Sequence, residues 1–448
     1  MDQLELGPDF GAPKQKRQER LCMCGRYLRF LFLLCSGVCL FASPVYSQLT
    51  NADSHENVDP FHGQLFGNWG GERSKLLERG VKFDFHSISD SLWNIKSEQN
   101  ERFASYNRIR GTVDIDLGTL INLQGWTFHM TAAWQTGANL GPYLGLIANP
   151  TSLASGNTFR LDSWWFQKGW MKDRFAVRVG QFAGEDTYGN QEFGNSFIFE
   201  PMGGPTDNLF NTFESFDPPS TPALEVRVVP INHVYLKSVV LSQDRLPYSN
   251  NTTGLVPYFN GPPVSVSEVG FTPGRNASSI APADSVASRK GYTGVYRFGA
   301  SYNPGKFTVP GSATPERGNY LLYWIASQAV WRPDPMESKG LDATLSYDWS
   351  PRSINRDYTM LTAGLRYNEP LPLKIHNTIS LGYVQNSLSP RFLAPGAPTW
   401  QTEHGVEFNT LLNVFPMVLV QPVIQYYANV GGGAQRAVVF GFRTKVEF

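Results

Sequence analysis

Arg174 and Arg178 share one side of the segment 173–182, opposite Phe175, Val177 and Val179, and that segment runs directly into Glu185 and Asp186. Guanidinium donors near carboxylate acceptors can hold a polar solute by hydrogen bonds and release it again. Bond cleavage would need an acid and a base facing each other across a cleft. Neighbouring residues such as Glu185 and Asp186 point to opposite sides of a strand, so no glycosidase-type pair is implied. Arg108, Arg110 and Arg160 recur on polar sides of other segments, and Trp164 shares parity with Arg160 and Asp162. No G-x-S-x-G, H-E-x-x-H, P-loop or EF-hand pattern occurs, and the 7 His are scattered as singles. The residues point to binding rather than catalysis, and no catalytic group, metal or cofactor is expected.

These side chains need a frame. The 448 residues carry 38 Lys+Arg against 38 Asp+Glu, a balance that gives no support to a nucleic-acid partner. Only 17% are charged, while 13% are aromatic and there are 42 Gly and 31 Pro, which favours strands and turns over long helices. Residues 1–47 combine six basic residues, an apolar run from Tyr27 to Ala42 and a small or polar stretch ending at Ser47. They are expected to be a secretory signal, removed near Ser47. Cys22, Cys24, Cys35 and Cys39 all precede that cut, so the mature chain would hold neither a disulfide nor a Cys metal site. It would carry 32 basic and 34 acidic residues. Residues 48–80 form an N-terminal segment with a short helix over 70–80 that stops at Gly80. The main domain is 81–448.

After the signal no apolar stretch of about 18 residues occurs, which excludes helical membrane spans and leaves the closed barrel as the other way to cross lipid. Its signature is present. Leu341, Ala343, Leu345, Tyr347 and Trp349 alternate with Asp342, Thr344, Ser346 and Asp348. Val438, Phe440, Phe442, Val446 and Phe448 similarly oppose Arg443, Lys445 and Glu447. About fifteen such segments can be counted, and the preference of bacterial barrels for even numbers predicts one more, near sixteen. Two stretches break the pattern: 184–222, long enough to fold inward and narrow a lumen, and 244–290, expected to be an outside loop. A soluble β sandwich also buries one face of each strand. Aromatics near strand ends (Trp126, Trp134, Tyr292, Tyr302, Tyr347, Trp349) and charges such as Arg443 and Lys445 on polar faces favour a barrel with a wet lumen.

Four blocks carry a resemblance: FGNWGGERSKLLERGVKFDF (66–85), GWTFHMTAAWQTGANL (125–140), DRFAVRVGQFAGEDTYG (173–189) and the closing stretch 404–448. Together they resemble the carbohydrate-selective porins of the OprB family. The resemblance implies an all-β fold, a transmembrane antiparallel β-barrel of sixteen strands in the bacterial outer membrane, passing small glucose-type sugars toward the periplasm. It also implies that Phe448 looks like the terminal signature read by the outer-membrane assembly machinery, so the expected partners are small sugars, the lipid bilayer and that machinery. A neutral sugar offers hydroxyls and an apolar ring face, which calls for Arg and acidic groups on opposite walls and aromatic rings for stacking. By the family block, Arg178 faces Glu185 or Asp186 at the constriction. By strand parity, Arg110 and Arg160 line the lumen and Trp164 offers a stacking surface. Two other readings stand beside this one: a general diffusion pore without sugar preference, and a secreted polysaccharide-binding β protein, which would be soluble.

Overall fold

Alternation of apolar and polar residues resolves into a single closed sheet. The computed structural model describes residues 61–448 apart from 154–155, 185–186, 204–207, 209–210, 213–219, 244–250, 260, 275–290 and 394–400. The expected signal, 1–47, and the start of the N-terminal segment lie outside the described residues.

The first strands are β1 (Val81–Lys96), β2 (Arg102–Asp116), β3 (Trp126–Gly137), β4 (Thr158–Trp170), β5 (Phe175–Phe182) and β6 (Thr221–Ile231). Then come β7 (Val234–Leu241), β8 (Val264–Phe271), β9 (Gly294–Phe307), β10 (Glu316–Trp331) and β11 (Gly340–Trp349). The last are β12 (Asp357–Asn368), β13 (Asn377–Leu388), β14 (Thr402–Phe415), β15 (Val418–Ala428) and β16 (Arg436–Glu447). Each pairs with its neighbour in sequence, and β1 pairs antiparallel with β16 to close the barrel. Closure leaves no free sheet edge, as lipid requires.

The barrel is inside out relative to a soluble protein. Leu345, Tyr347, Leu381, Phe408, Ile424 and Phe440 are exposed on its outer face, whereas Asp90, Asp342, Glu407 and Gln425 are fully buried on the inner one. That distribution removes the soluble-sandwich reading, whose core would have to hold the apolar face. Aromatics mark both ends of the outer wall. At the end bearing the chain termini Trp331 and Tyr367 have ring centroids 5.9 Å apart, and at the other end Tyr320 and Trp349 are 5.5 Å apart.

The sixteenth strand is β8, inside the stretch 244–290 that was expected to be loop throughout. Its outer face carries Ser265 and Ser267 beside Val269 and Phe271, and its inner face carries Val264 and Val266, both fully buried. Neither face is uniformly apolar, so the period-two signal cancels.

At the terminus end, the expected short helix spans Glu72–Glu78, followed by Gly80 at φ +83°. A Cβ there would meet the Asp116 carbonyl oxygen at 2.8 Å, so glycine is required on two counts. The buried Arg73 of this helix donates through Nη1 to the Phe448 carbonyl at 3.1 Å and through Nη2 to the Phe83 carbonyl at 3.0 Å. Its guanidinium also lies 4.7 Å from the ring centroids of both Phe61 and Trp69. The Phe448 ring rests between Phe85 and Phe66, at 5.0 and 5.4 Å.

Candidate functional site: a lumen narrowed by two inward loops

Connections 138–157 and 183–220 both leave the end of the barrel opposite the termini and turn into its interior. Backbone groups moved off the surface need partners, and three inward glutamates supply them. Glu403 on β14 accepts the N–H of Ile147 at 3.0 Å, of Ala148 at 2.9 Å and of Gly431 at 2.7 Å. Glu407, four residues further along β14 on the same face, accepts those of Ile198 and Phe199 at 3.0 and 2.8 Å. Glu268 on β8 accepts that of Gly189 at 3.0 Å. Charge-assisted bonds of this kind are about twice as strong as neutral ones, and each carboxylate grips its loop at a fixed depth.

Around these staples the inner wall completes the fastening. Tyr235 and Tyr323 donate to Glu268, each at 2.7 Å, and Lys237 pairs with it at 3.0 Å. Lys237 also donates to the Thr187 carbonyl and lies 4.4 Å from the Tyr188 ring centroid. Arg366 is held by Asp342 at 2.8 Å and stands 4.2 Å from the Phe193 ring, so the same residue ties wall to loop. The other inward loop is tied by Thr151 to Asp90, which Arg443 holds bidentately at 2.7 and 2.8 Å. Within the loop 183–220, burial raises the Glu200 carboxyl to about 7 against an opposing hydrogen bond from Asn149, and raises the Tyr188 hydroxyl.

The loops are fastened to the inner faces of β1, β7, β8, β12 and β14, whereas Arg110, His129 and Arg178 on β2, β3 and β5 keep 15–19% of their side-chain surface exposed. There Arg178 donates to Gln167 Oε1 at 3.2 and 3.1 Å and lies 3.8 Å from Glu225. Its guanidinium stands 4.4 Å from the Trp165 ring centroid and 5.4 Å from that of Phe182. The other side of Trp165 stacks on His129 at 4.7 Å and 9°. His129 is held in turn by Asp114 at 2.7 Å and Thr131 at 3.0 Å. Arg110 pairs with Asp162 at 2.7 Å. Arg178, the Gln167 amide and the Trp165 ring are therefore partly exposed side by side with Glu225 buried behind them, able to exchange hydrogen bonds with a hydroxylated solute and to cover its apolar face.

Arg110, Arg160 and Arg178 all lie on inward-facing positions of their strands, with Arg160 buried. Trp164 does not. A bulge at Asp162, where Thr131 pairs with Ser163 and Ala132 with Leu161, reverses the parity of everything after it. Trp165 therefore takes the inward place assigned to Trp164, opposite His129 and Gly180. Arg174 also departs from the inward reading: it donates to the carbonyls of Val229 and Pro230 at the terminus-end turn. Glu185 and Asp186 lie outside the described residues. The roles of Glu268, Glu403 and Glu407 are not legible in the sequence because the loop groups they hold are backbone N–H groups, which no side-chain pattern reveals. A Glu amid the apolar run of β8 was the one available hint.

Comparison with known proteins agrees with this architecture. The model of the carbohydrate-selective porin, OprB family, matches residues 101–448. Porin B of Pseudomonas aeruginosa is 23% identical over 460 residues, covering 92% of this chain and 97% of that protein. The putative porin QuiX of Acinetobacter baylyi is 22% identical over 423 residues, covering 86% and 92%. Among solved structures, Pseudomonas putida OprB at high pH shares the fold with a TM-score of 0.77 at 18% identity, over 89% of this chain and 100% of that one. Its low-pH structure gives 0.55 at 15% identity, over 86% and 98%. Family and fold point to a channel rather than an enzyme. With a family match over most of its length and a closed sixteen-strand barrel, the chain belongs to the carbohydrate-selective porin, OprB family.

Proposed function

We propose that the protein sits in the outer membrane of a Gram-negative bacterium and passes small glucose-type sugars into the periplasm by facilitated diffusion. The observation that carries this reading is the open wall of Arg178, Trp165, His129 and Gln167 inside a lumen narrowed by two stapled loops. A sugar crossing there would exchange hydroxyl hydrogen bonds with Arg178 and Gln167 while its ring face slides over aromatic surface. Each contact is weak and replaceable, as conduction demands. Arg110 and Arg160 extend the donor row, and Glu185 or Asp186 would supply acceptors facing it. Phe448 serves as the signature by which the assembly machinery recognises the nascent barrel.

Single-channel conductance of the refolded chain in a planar bilayer tests this, with glucose and a non-sugar solute of similar size titrated in turn. Open channels blocked by glucose and not by the control are expected. Channels indifferent to both would leave a general diffusion pore, and the absence of channels would remove the transport reading.

A further inference from the structure

Strand register brings Glu447, near the end of the chain, to two residues near its start. His86 on β1 faces Glu447 on β16, and Asp84 stands two residues along β1 on the same inward side. One donor atom from each lies within 4.8 Å of the others. We propose that Asp84, His86 and Glu447 form a binding site for a divalent transition-metal ion such as Zn2+, placed in the terminus-end mouth of the lumen and joining the first strand of the barrel to the last.

The donor set suits this class of ion. One imidazole and two carboxylates match the borderline preference of Zn2+, and hard ions such as Mg2+ would favour oxygen ligands alone. Two ligands about 2.0–2.1 Å from a tetrahedral ion stand about 3.3 Å from one another. His86 Nδ1 and Asp84 Oδ1 are 3.1 Å apart and hydrogen-bonded, so an ion can take the place of the proton between them with little movement. The side chains of Asp84, His86 and Glu447 are 37%, 17% and 32% exposed, which leaves the site open to solvent and a fourth position free for water or a passing solute.

Two charges compete. Lys445 Nζ lies 2.6 Å from Glu447 Oε1, and both Lys445 and Lys82 already act on Asp84, so each opposes a cation there. Lys445 thereby tunes the affinity downward, and removing its charge should strengthen binding. Arg110, opposite His86 on β2, is engaged by Asp162 and does not compete for Glu447.

The refolded barrel in detergent micelles is titrated with Zn2+ by calorimetry, and its thermal unfolding is followed by heat-dependent gel mobility with Zn2+ or with a chelator. One ion per chain is expected, with a higher unfolding temperature in Zn2+ because an ion held by β1 and β16 binds only the closed barrel. His86→Ala and, independently, Asp84→Asn should each weaken binding by about 100-fold and abolish the thermal shift. Lys445→Met should tighten it several-fold. Lack of saturable binding, binding unaffected by His86→Ala and Asp84→Asn, or binding without a thermal shift would each overturn the proposal.

Discussion

Glu407 Oε2 accepts the backbone N–H of Phe199 at 2.8 Å, a bond between residues 208 positions apart that fixes how far the loop 183–220 reaches across the lumen. Glu407 Oε1 takes the N–H of Ile198 as well. Substituting Glu407→Ala orphans both donors, at a cost on the order of 1–3 kcal/mol each if they stay buried. The loop is expected to escape instead, giving a larger and noisier single-channel conductance. Conductance equal to wild type would show that the remaining contacts hold the loop unaided.

Arg178→Ala should widen the pore and weaken sugar block, since its guanidinium bridges Gln167 and stacks over Trp165. Arg178→Lys should fall between the two: an ammonium keeps the charge but loses the planar fork that spans an amide while lying flat on a ring. Glucose titration of channel current measures both. Unchanged conductance together with unchanged block would remove Arg178 from the solute path.

Trp165→Ala and Trp164→Ala form a matched pair across one bulge. The first removes a ring stacked between His129 and Arg178 and should raise the sugar concentration needed for half-block several-fold. The second removes outer-wall surface and should leave block unchanged while lowering barrel stability. The opposite ranking would restore Trp164 to the lumen.

The fold was largely legible and the site only in part. Leu341–Trp349 announces a barrel strand by period two alone, because lipid on one side and water on the other impose the same alternation the side chains show. Val264–Phe271 does not, because inward loops change what its inner face touches. Arg178 could be placed by counting residues along its strand, whereas Trp164 could not, since one extra residue at Asp162 inverts the count. The meeting of His86 with Glu447 depends on closure of the whole sheet and has no local trace.

Glu200 sits in the buried loop with its carboxyl raised to about 7. A carboxyl whose pKa rises on burial favours the buried state while protonated, and that contribution is lost as pH climbs through the raised value. Loop opening, read as current noise, should therefore grow as pH rises from the ordinary carboxyl value of 4.5 to about 7 and level off above it. Glu200→Gln should flatten the dependence, and equal pH dependence in wild type and variant would assign it to another group.

Arg73 binds carbonyls of Phe83 and Phe448, which become neighbours only when β1 has met β16. The helix bearing Arg73 thus completes its contacts only once the last pair of strands has zipped. Any factor that grips the bare edge of β16 or the Phe448 ring meets them in the unfinished chain and loses them in the finished one. Completion is in this way recorded at the terminus itself, in contacts that exist only in the closed barrel.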